Sequence, residues 1–106
     1  MSEPRVAEHR HGRVLELVID NPAQRNALAP AISAGLTRAL RLANDDASIG
    51  AIVVRGEGKH FCAGGNLKTL ADTRASRPRQ AIVERIAGIN ELARALRACG
   101  KPVVAA

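Results

Sequence analysis

The sequence predicts an α/β fold with a mostly parallel sheet and flanking helices. Three observations carry this expectation. Short β-branched apolar runs alternate along the chain with two stretches of helical periodicity. The resulting order of strand, helix, strand, loop, helix, strand implies a parallel sheet, whose strands want cover on both faces. Proline opens the first helix, and a glycine followed by a proline closes the second.

The elements follow in order. Val14 to Ile19 (VLELVI) is an apolar run with Glu16 as its one charge, and it reads as a strand. Asp20-Asn21-Pro22 stops it with a turn signal, and residues 23–28 (AQRNAL) form a connector. Pro30 stands where a first helical turn begins. From there to about Asn44, Ile32, Leu36, Ala39, Leu40 and Ala43 share one face, with Arg38 and Arg41 directed outward. Ala29 is a poor N-cap, so the start of this helix is only loosely placed.

Ile49 to Arg55 reads as a buried strand feeding a glycine-rich loop over residues 56–65, after which a short helix is predicted from Asn66. Residues 72–80 (DTRASRPRQ) are a polar, basic connector. Ile82, Ile86, Ile89, Ala93 and Leu96 then recur at helical spacing and predict the apolar stripe of the clearest helix. Gly100 ends that helix and Pro102 prevents its continuation. Val103 to Ala106 resembles a strand just beginning, and a sequence stopping there, without a polar tail, reads as cut. No internal repeat or low-complexity segment is present.

The 106 residues are 46% apolar and 25% charged, which suits one small globular domain over residues 1–106. Phe61 is the only aromatic residue. Nucleic-acid modules that stack bases need aromatic platforms, so those classes fall away. Net charge is +6, with 16 basic and 10 acidic side chains. Residues 1–54 are balanced, whereas residues 55–106 hold ten basic groups against four acidic ones; thirteen of the sixteen cations are arginine. That surplus is either a solvated surface or a footprint for an anionic partner. Two cysteines make no disulfide framework, and no apolar run approaches membrane-spanning length. The expected setting is therefore cytoplasmic, without membrane partners.

The glycine-rich loop is the best candidate for chemistry. Gly64 and Gly65 let a ligand approach the main chain, and Asn66 is suited to cap a following helix. Amide N–H groups at such a point stabilise a negative oxygen on a polarised carbonyl; the bland alternative is a loop that merely turns a strand into a helix. Phosphate-loop spacings are absent, since Gly56-x-Gly58 is followed by Phe61 where a third glycine belongs. His9, His11, His60 and Cys62 lack the spacing of a zinc site, so no metal is expected. His60 and Cys62 are a weak nucleophile pair with no third group to orient them. Cys99 reads as a small core residue, and the carboxylates Glu57, Glu84 and Glu91 as solvated.

Three stretches taken together resemble the enoyl-CoA hydratase/isomerase (crotonase) superfamily: Asn21-Pro-Ala-Gln-Arg-Asn-Ala-Leu28, Gly50-Ala-Ile-Val-Val-Arg-Gly-Glu-Gly58 and Phe61-Cys-Ala-Gly-Gly-Asn-Leu-Lys68. Lys101-Pro-Val-Val-Ala-Ala106 is similar to the strand before the family's second glycine motif. The resemblance covers the whole chain but well under half of a typical member. It implies the N-terminal part of a crotonase-like ββα spiral, incomplete as it stands, and an acyl-CoA thioester as substrate. Coenzyme A would be part of that substrate, with no permanently bound cofactor.

By motif, Gly65 matches the donor of one oxyanion-hole N–H. Ala63, Gly64, Asn66 and Leu67 match thioester and pantetheine contacts, while Gln24, Arg25 and Ala27 match residues flanking the adenine and phosphate end. Many members carry Asp in place of Asn66. The second N–H donor and the hydratase glutamates fall after Val104, so the resemblance implies a lyase or isomerase of fatty-acid metabolism without separating hydratase, isomerase, hydrolase and ring-opening chemistry. The run FCAGGNLK is similar to ring-cleaving members. It implies that these residues alone are inactive, and that trimers or hexamers are usual for the family. The rival expectations are a non-catalytic remnant that pairs with complete members and a basic nucleic-acid module using Arg74, Arg77, Arg79 and Arg85.

Overall fold

The computed structural model describes residues 3–62 and 78–106. Four strands form one sheet in the order β1-β2-β3-β4. They are β1 (Arg5–His11), β2 (Val14–Asp20), β3 (Ala51–Gly56) and β4 (Val103–Ala105). The pairs β2–β3 and β3–β4 are parallel, as the element order implied, and β1 runs antiparallel to β2. Two helices accompany the sheet, α1 (Pro30–Asn44) and α2 (Pro78–Ala98).

The β1 strand has no counterpart in the sequence expectation. Its run RVAEHRH has two adjacent apolar residues and no alternation, so its conformation comes from pairing with β2 rather than from its own pattern. The available signal was the two-residue Gly12-Arg13 connection. Gly12 has φ +61, the torsion that a tight hairpin needs at its first central position.

Among the described residues burial along the sheet is concentrated on the face toward the helices, although Val18 on the other face is also buried. Leu15, Leu17 and Ile19 of β2 alternate into the core with Ile52 and Val54 of β3. On the opposite face Arg55 Nε meets Glu16 Oε2 at 3.2 Å, and His11 Nε2 stands 3.6 Å from Glu16 Oε1. The single charge in VLELVI is thus accommodated by facing away from the helices. Desolvation works to raise the Glu16 pKa, but the hydrogen bonds and positive charge of Arg55 and His11 outweigh it and hold the carboxyl below its ordinary value.

The α1 helix begins with Pro30 at its first turn and buries the predicted face: Ile32, Leu36, Ala39, Leu40 and Ala43, together with Ser33 and Thr37. Thr37 Oγ1 donates to Ser33 O at 2.8 Å, which satisfies the hydroxyl inside the packed face. After α2, Gly100 N donates to Asn44 Oδ1 at 2.8 Å, and Lys101 Nζ donates to Ala43 O at 2.7 Å and to Asp46 O. These bonds satisfy carbonyls at the end of α1 and direct the chain into β4 beside β3.

The α2 helix exists as predicted, but its buried stripe is different. Leu92 and Ala95 are buried, whereas Val83, Ile86 and Leu96 are exposed at 59%, 52% and 42%. Helix α2 packs on α1, and Leu92 and Ala95 join the core that Leu36, Ala39, Leu40 and Ala43 form on α1. Of the predicted Ile82–Leu96 stripe, Ile86 and Leu96 are exposed, and Ile82 and Ile89 are half-buried. Leu92→Ala should therefore destabilise the chain by about 2–3 kcal/mol and Ile86→Ala by less than about 1 kcal/mol. Urea unfolding followed by far-ultraviolet circular dichroism checks this, and equal costs would restore the stripe read from the sequence.

Candidate functional site

The stretch from Asn21 to Leu28 folds as a tight corner between β2 and α1. Pro22–Gln24 form one 3-10 turn, and Arg25 and Asn26 follow with φ of 54° and 59°. Left-handed torsions cost an ordinary residue about 1–2 kcal/mol, and asparagine tolerates them better than most. Local hydrogen bonds hold the corner: Arg25 N to Pro22 O at 3.1 Å, Asn26 N to Asn21 O at 2.8 Å and Ala27 N to Gln24 O at 3.0 Å. Asn21 is buried, and its Nδ2 donates to Gln24 Oε1 at 3.0 Å and to Ala27 O at 3.2 Å.

Asn26 joins this corner to the loop that follows β3. Its Oδ1 accepts from Asn21 N at 2.8 Å, and its Nδ2 donates to Glu57 O at 3.0 Å and His60 O at 2.6 Å. The residue is 1% exposed. Glu57 N donates to Ile19 O at 2.9 Å, so the loop is also tied to the end of β2. Gly56 makes the close approach possible. A Cβ there would lie 2.0 Å from His60 O, 2.4 Å from Phe61 O and 2.6 Å from Asn26 Nδ2.

Beyond this anchored turn, Phe61 and Cys62 form part of the wall of an apolar cavity of about 450 Å³. Ile19, Leu28, Val54, Leu92 and Leu96 line it as well, beside the carboxyl ends of the parallel strands. A crevice at that end of a parallel sheet is the usual place for a ligand in α/β proteins, and the volume falls in the range of roughly 300–1,000 Å³ typical of ligand sites. The lining suits a hydrocarbon chain rather than a charged group.

The predicted site residues divide accordingly. Gln24 and Arg25 are exposed at the corner, and Arg25 makes no ion pair among the described residues. Ala27 is 2% exposed with its methyl turned inward, and both its N–H and its carbonyl are engaged within the corner. Ala63, Gly64, Gly65, Asn66 and Leu67, with the helix predicted from Asn66, lie outside the described residues, as do Arg74 and Arg77. Sequence reasoning missed Asn26 and Gly56. Their one local signal was a glycine directly after a β-branched strand, which marks a close approach without saying to what.

Among the described residues no group of three His, Cys, Asp or Glu side chains is placed to hold a metal. His60 is exposed, while Cys62 is half-buried against the core. No described helix is long and apolar enough to cross a membrane. Some of the arginines are paired within the chain. Arg41 and Arg94 each contact Glu91 at 2.6 Å and hold its carboxyl below the ordinary range. Glu91 is therefore paired rather than merely solvated.

Comparison with known proteins agrees with this architecture. Residues 9–106 match the enoyl-CoA hydratase/isomerase family. The chain is 33% identical to a 6-oxocyclohex-1-ene-1-carbonyl-CoA hydrolase of Geobacter metallireducens over 96% of its own length and 28% of that protein's. It is 28% identical to the peroxisomal Delta(3,5)-Delta(2,4)-dienoyl-CoA isomerase of Arabidopsis thaliana, covering 95% of this chain and 39% of the relative. The crystal structure of an enoyl-CoA hydratase from Polaromonas sp. JS666 superposes with a TM-score of 0.90 at 37% identity, covering 96% of this chain and 39% of that one. The chain thus spans about a quarter to two fifths of the length of these proteins. The shared order of strands and helices is that of the crotonase fold, in part. Because the match extends over nearly every residue present, including the corner and loop joined by Asn26, the chain belongs to the enoyl-CoA hydratase/isomerase family.

Proposed function

We propose that this chain is the acyl-CoA-binding front portion of an enoyl-CoA hydratase/isomerase-type enzyme, in which the Gly65 N–H donates to the thioester oxygen. The observation that carries the reading is the anchored loop after β3. Two hydrogen bonds from Asn26 fix it, and it delivers the chain at Cys62 to the wall of an apolar cavity. The next five residues are those whose motif matches thioester and pantetheine contacts. An amide N–H directed at the thioester oxygen stabilises the negative charge that develops there when the thioester becomes enolate-like. Losing such a donor costs about 3–4 kcal/mol of transition-state stabilisation. The acyl chain would lie against the apolar lining, while Gln24 and Arg25 would face the nucleotide end.

The role assigned to these 106 residues is binding rather than turnover, because the resemblance puts the acid–base glutamates and the second N–H donor after Val104. The chemistry of a longer enzyme, whether hydration, isomerisation or hydrolysis, follows from those later groups. Coenzyme A enters as part of the substrate.

Isothermal titration of the chain with butyryl-CoA and with free coenzyme A tests the reading. Saturable binding that favours the thioester is expected, and Gly65→Pro, which removes the N–H, should abolish the preference. Crotonyl-CoA should not be hydrated by the chain alone. Binding restricted to nucleic acid, falling steeply with added salt, would overturn the proposal, as would an unchanged thioester preference in Gly65→Pro.

A further inference from the structure

We infer that Asn26 is a positioning residue for the thioester. Its buried carboxamide sets the height and direction of the loop from which the oxyanion-binding main chain departs. The inference rests on the acyl-CoA reading above and assigns a role to a residue that the motif comparison left without one.

The geometry is specific to the loop. Asn26 spends both Nδ2 hydrogens on main-chain carbonyls 31 and 34 residues away, Glu57 O at 3.0 Å and His60 O at 2.6 Å. These two carbonyls bracket the turn that leads to Phe61 and Cys62. The third bond, from Asn21 N to Oδ1 at 2.8 Å, fixes which way the amide faces. No freedom of rotation is left without breaking a bond, and the group is 1% exposed, so water offers no replacement. The backbone at Asn26 is left-handed, with φ 59. Asparagine is among the few residues that combine that torsion with a side chain able to donate twice. Gly56 leaves room for the amide and for the loop carbonyls to close over the end of β3.

The consequence is mechanical. Displacing this turn by an ångström displaces Phe61 and Cys62, the residues that lead into the glycine motif, by a similar amount. A hydrogen bond to a thioester oxygen tolerates only a few tenths of an ångström before it weakens. Asn26 would therefore act on discrimination between thioester and free coenzyme A, and not on affinity for the nucleotide portion.

Two substitutions separate this from a purely structural role. Asn26→Gly keeps the left-handed backbone and deletes the amide. Asn26→Asp keeps an oxygen for Asn21 N but turns a second acceptor toward the two loop carbonyls. Each variant is titrated with butyryl-CoA and with free coenzyme A, and its melting temperature is recorded by far-ultraviolet circular dichroism. The expected result is that the preference for the thioester falls about tenfold, the worth of one hydrogen bond. Affinity for free coenzyme A should stay within about threefold in whichever variant remains folded.

Equal losses for both ligands, or an unchanged preference in folded protein, would overturn the positioning role. If the original chain binds neither ligand, the acyl-CoA reading falls and takes this inference with it. If it discriminates and both variants still do, only the inference falls. Should Asn26→Gly and Asn26→Asp both unfold, Asn26→Ser in the presence of saturating coenzyme A keeps one donor, and an undiminished thioester preference there counts against the proposal.

Discussion

Replacing Gly56 with alanine is expected to destabilise the chain by roughly 3 kcal/mol or more and to dislodge the loop that leads to the candidate site. The cost is one of space. The new methyl would stand 2.0 and 2.4 Å from two main-chain oxygens, His60 O and Phe61 O, and 2.6 Å from Asn26 Nδ2. Flexible side-chain ends yield to such a clash, but these carbonyls belong to the backbone of the turn. Moving them breaks the Asn26 bonds and leaves a buried carboxamide unsatisfied. Gly58 provides the contrast. It has φ +78 with open space around its Cβ position, so Gly58→Ala carries a torsional cost of about 1 kcal/mol and no clash. Thermal unfolding should place Gly56→Ala at least 10 °C below Gly58→Ala, given about 4–8 °C per kcal/mol for a domain of this size. Equal melting temperatures would mean that the loop moves aside freely, and the anchored turn would lose its standing as the foundation of the site.

The difference between these two glycines illustrates what the sequence could reveal. Both stand in the run Gly56-Glu57-Gly58, two residues apart and equivalent to any local rule. Only the fold brings Asn26, 30 positions earlier, against one of them. Local signals served well where the determinant was local. Pro30 and the spacing from Ile32 to Ala43 marked α1, and the β-branched run at 51–54 marked β3. They failed where pairing decided the conformation, as in β1, and where two apolar stripes of one helix competed for a single partner, as in α2. The same division holds for the site. The motif between Asn21 and Leu28 was legible as a unit, and its nucleotide contacts stay an assignment by motif. That its most deeply buried side chain, Asn26, faces inward and holds another loop was not, because burial is a property of the assembled chain. The glycine pair at 64 and 65 stays an assignment by motif.

The second large effect concerns the strand on which both anchored segments depend. Leu17 is 0% exposed in the middle of β2, opposite Glu8 of β1 and Val54 of β3, with its side chain in the core. Leu17→Ala should cost about 3–4 kcal/mol, since neighbours held in sheet ladders on both sides relax little into the cavity created. That is a large share of the roughly 5–15 kcal/mol available to a small domain. Val18, 1% exposed but outside the core cluster, loses two carbons on substitution where Leu17 loses three, and Val18→Ala should cost at least about 1 kcal/mol less. Urea unfolding with unchanged denaturant sensitivity checks both values. The two substitutions also separate stability from positioning. Neither touches the bond that Glu57 N donates to Ile19 O or those that Asn26 donates to its two carbonyls, so the folded fraction of Leu17→Ala should retain the full preference for a thioester over free coenzyme A. A loss of that preference in folded Leu17→Ala would show that the loop is set by the packing of the whole sheet, and Asn26 would then be one contact among many.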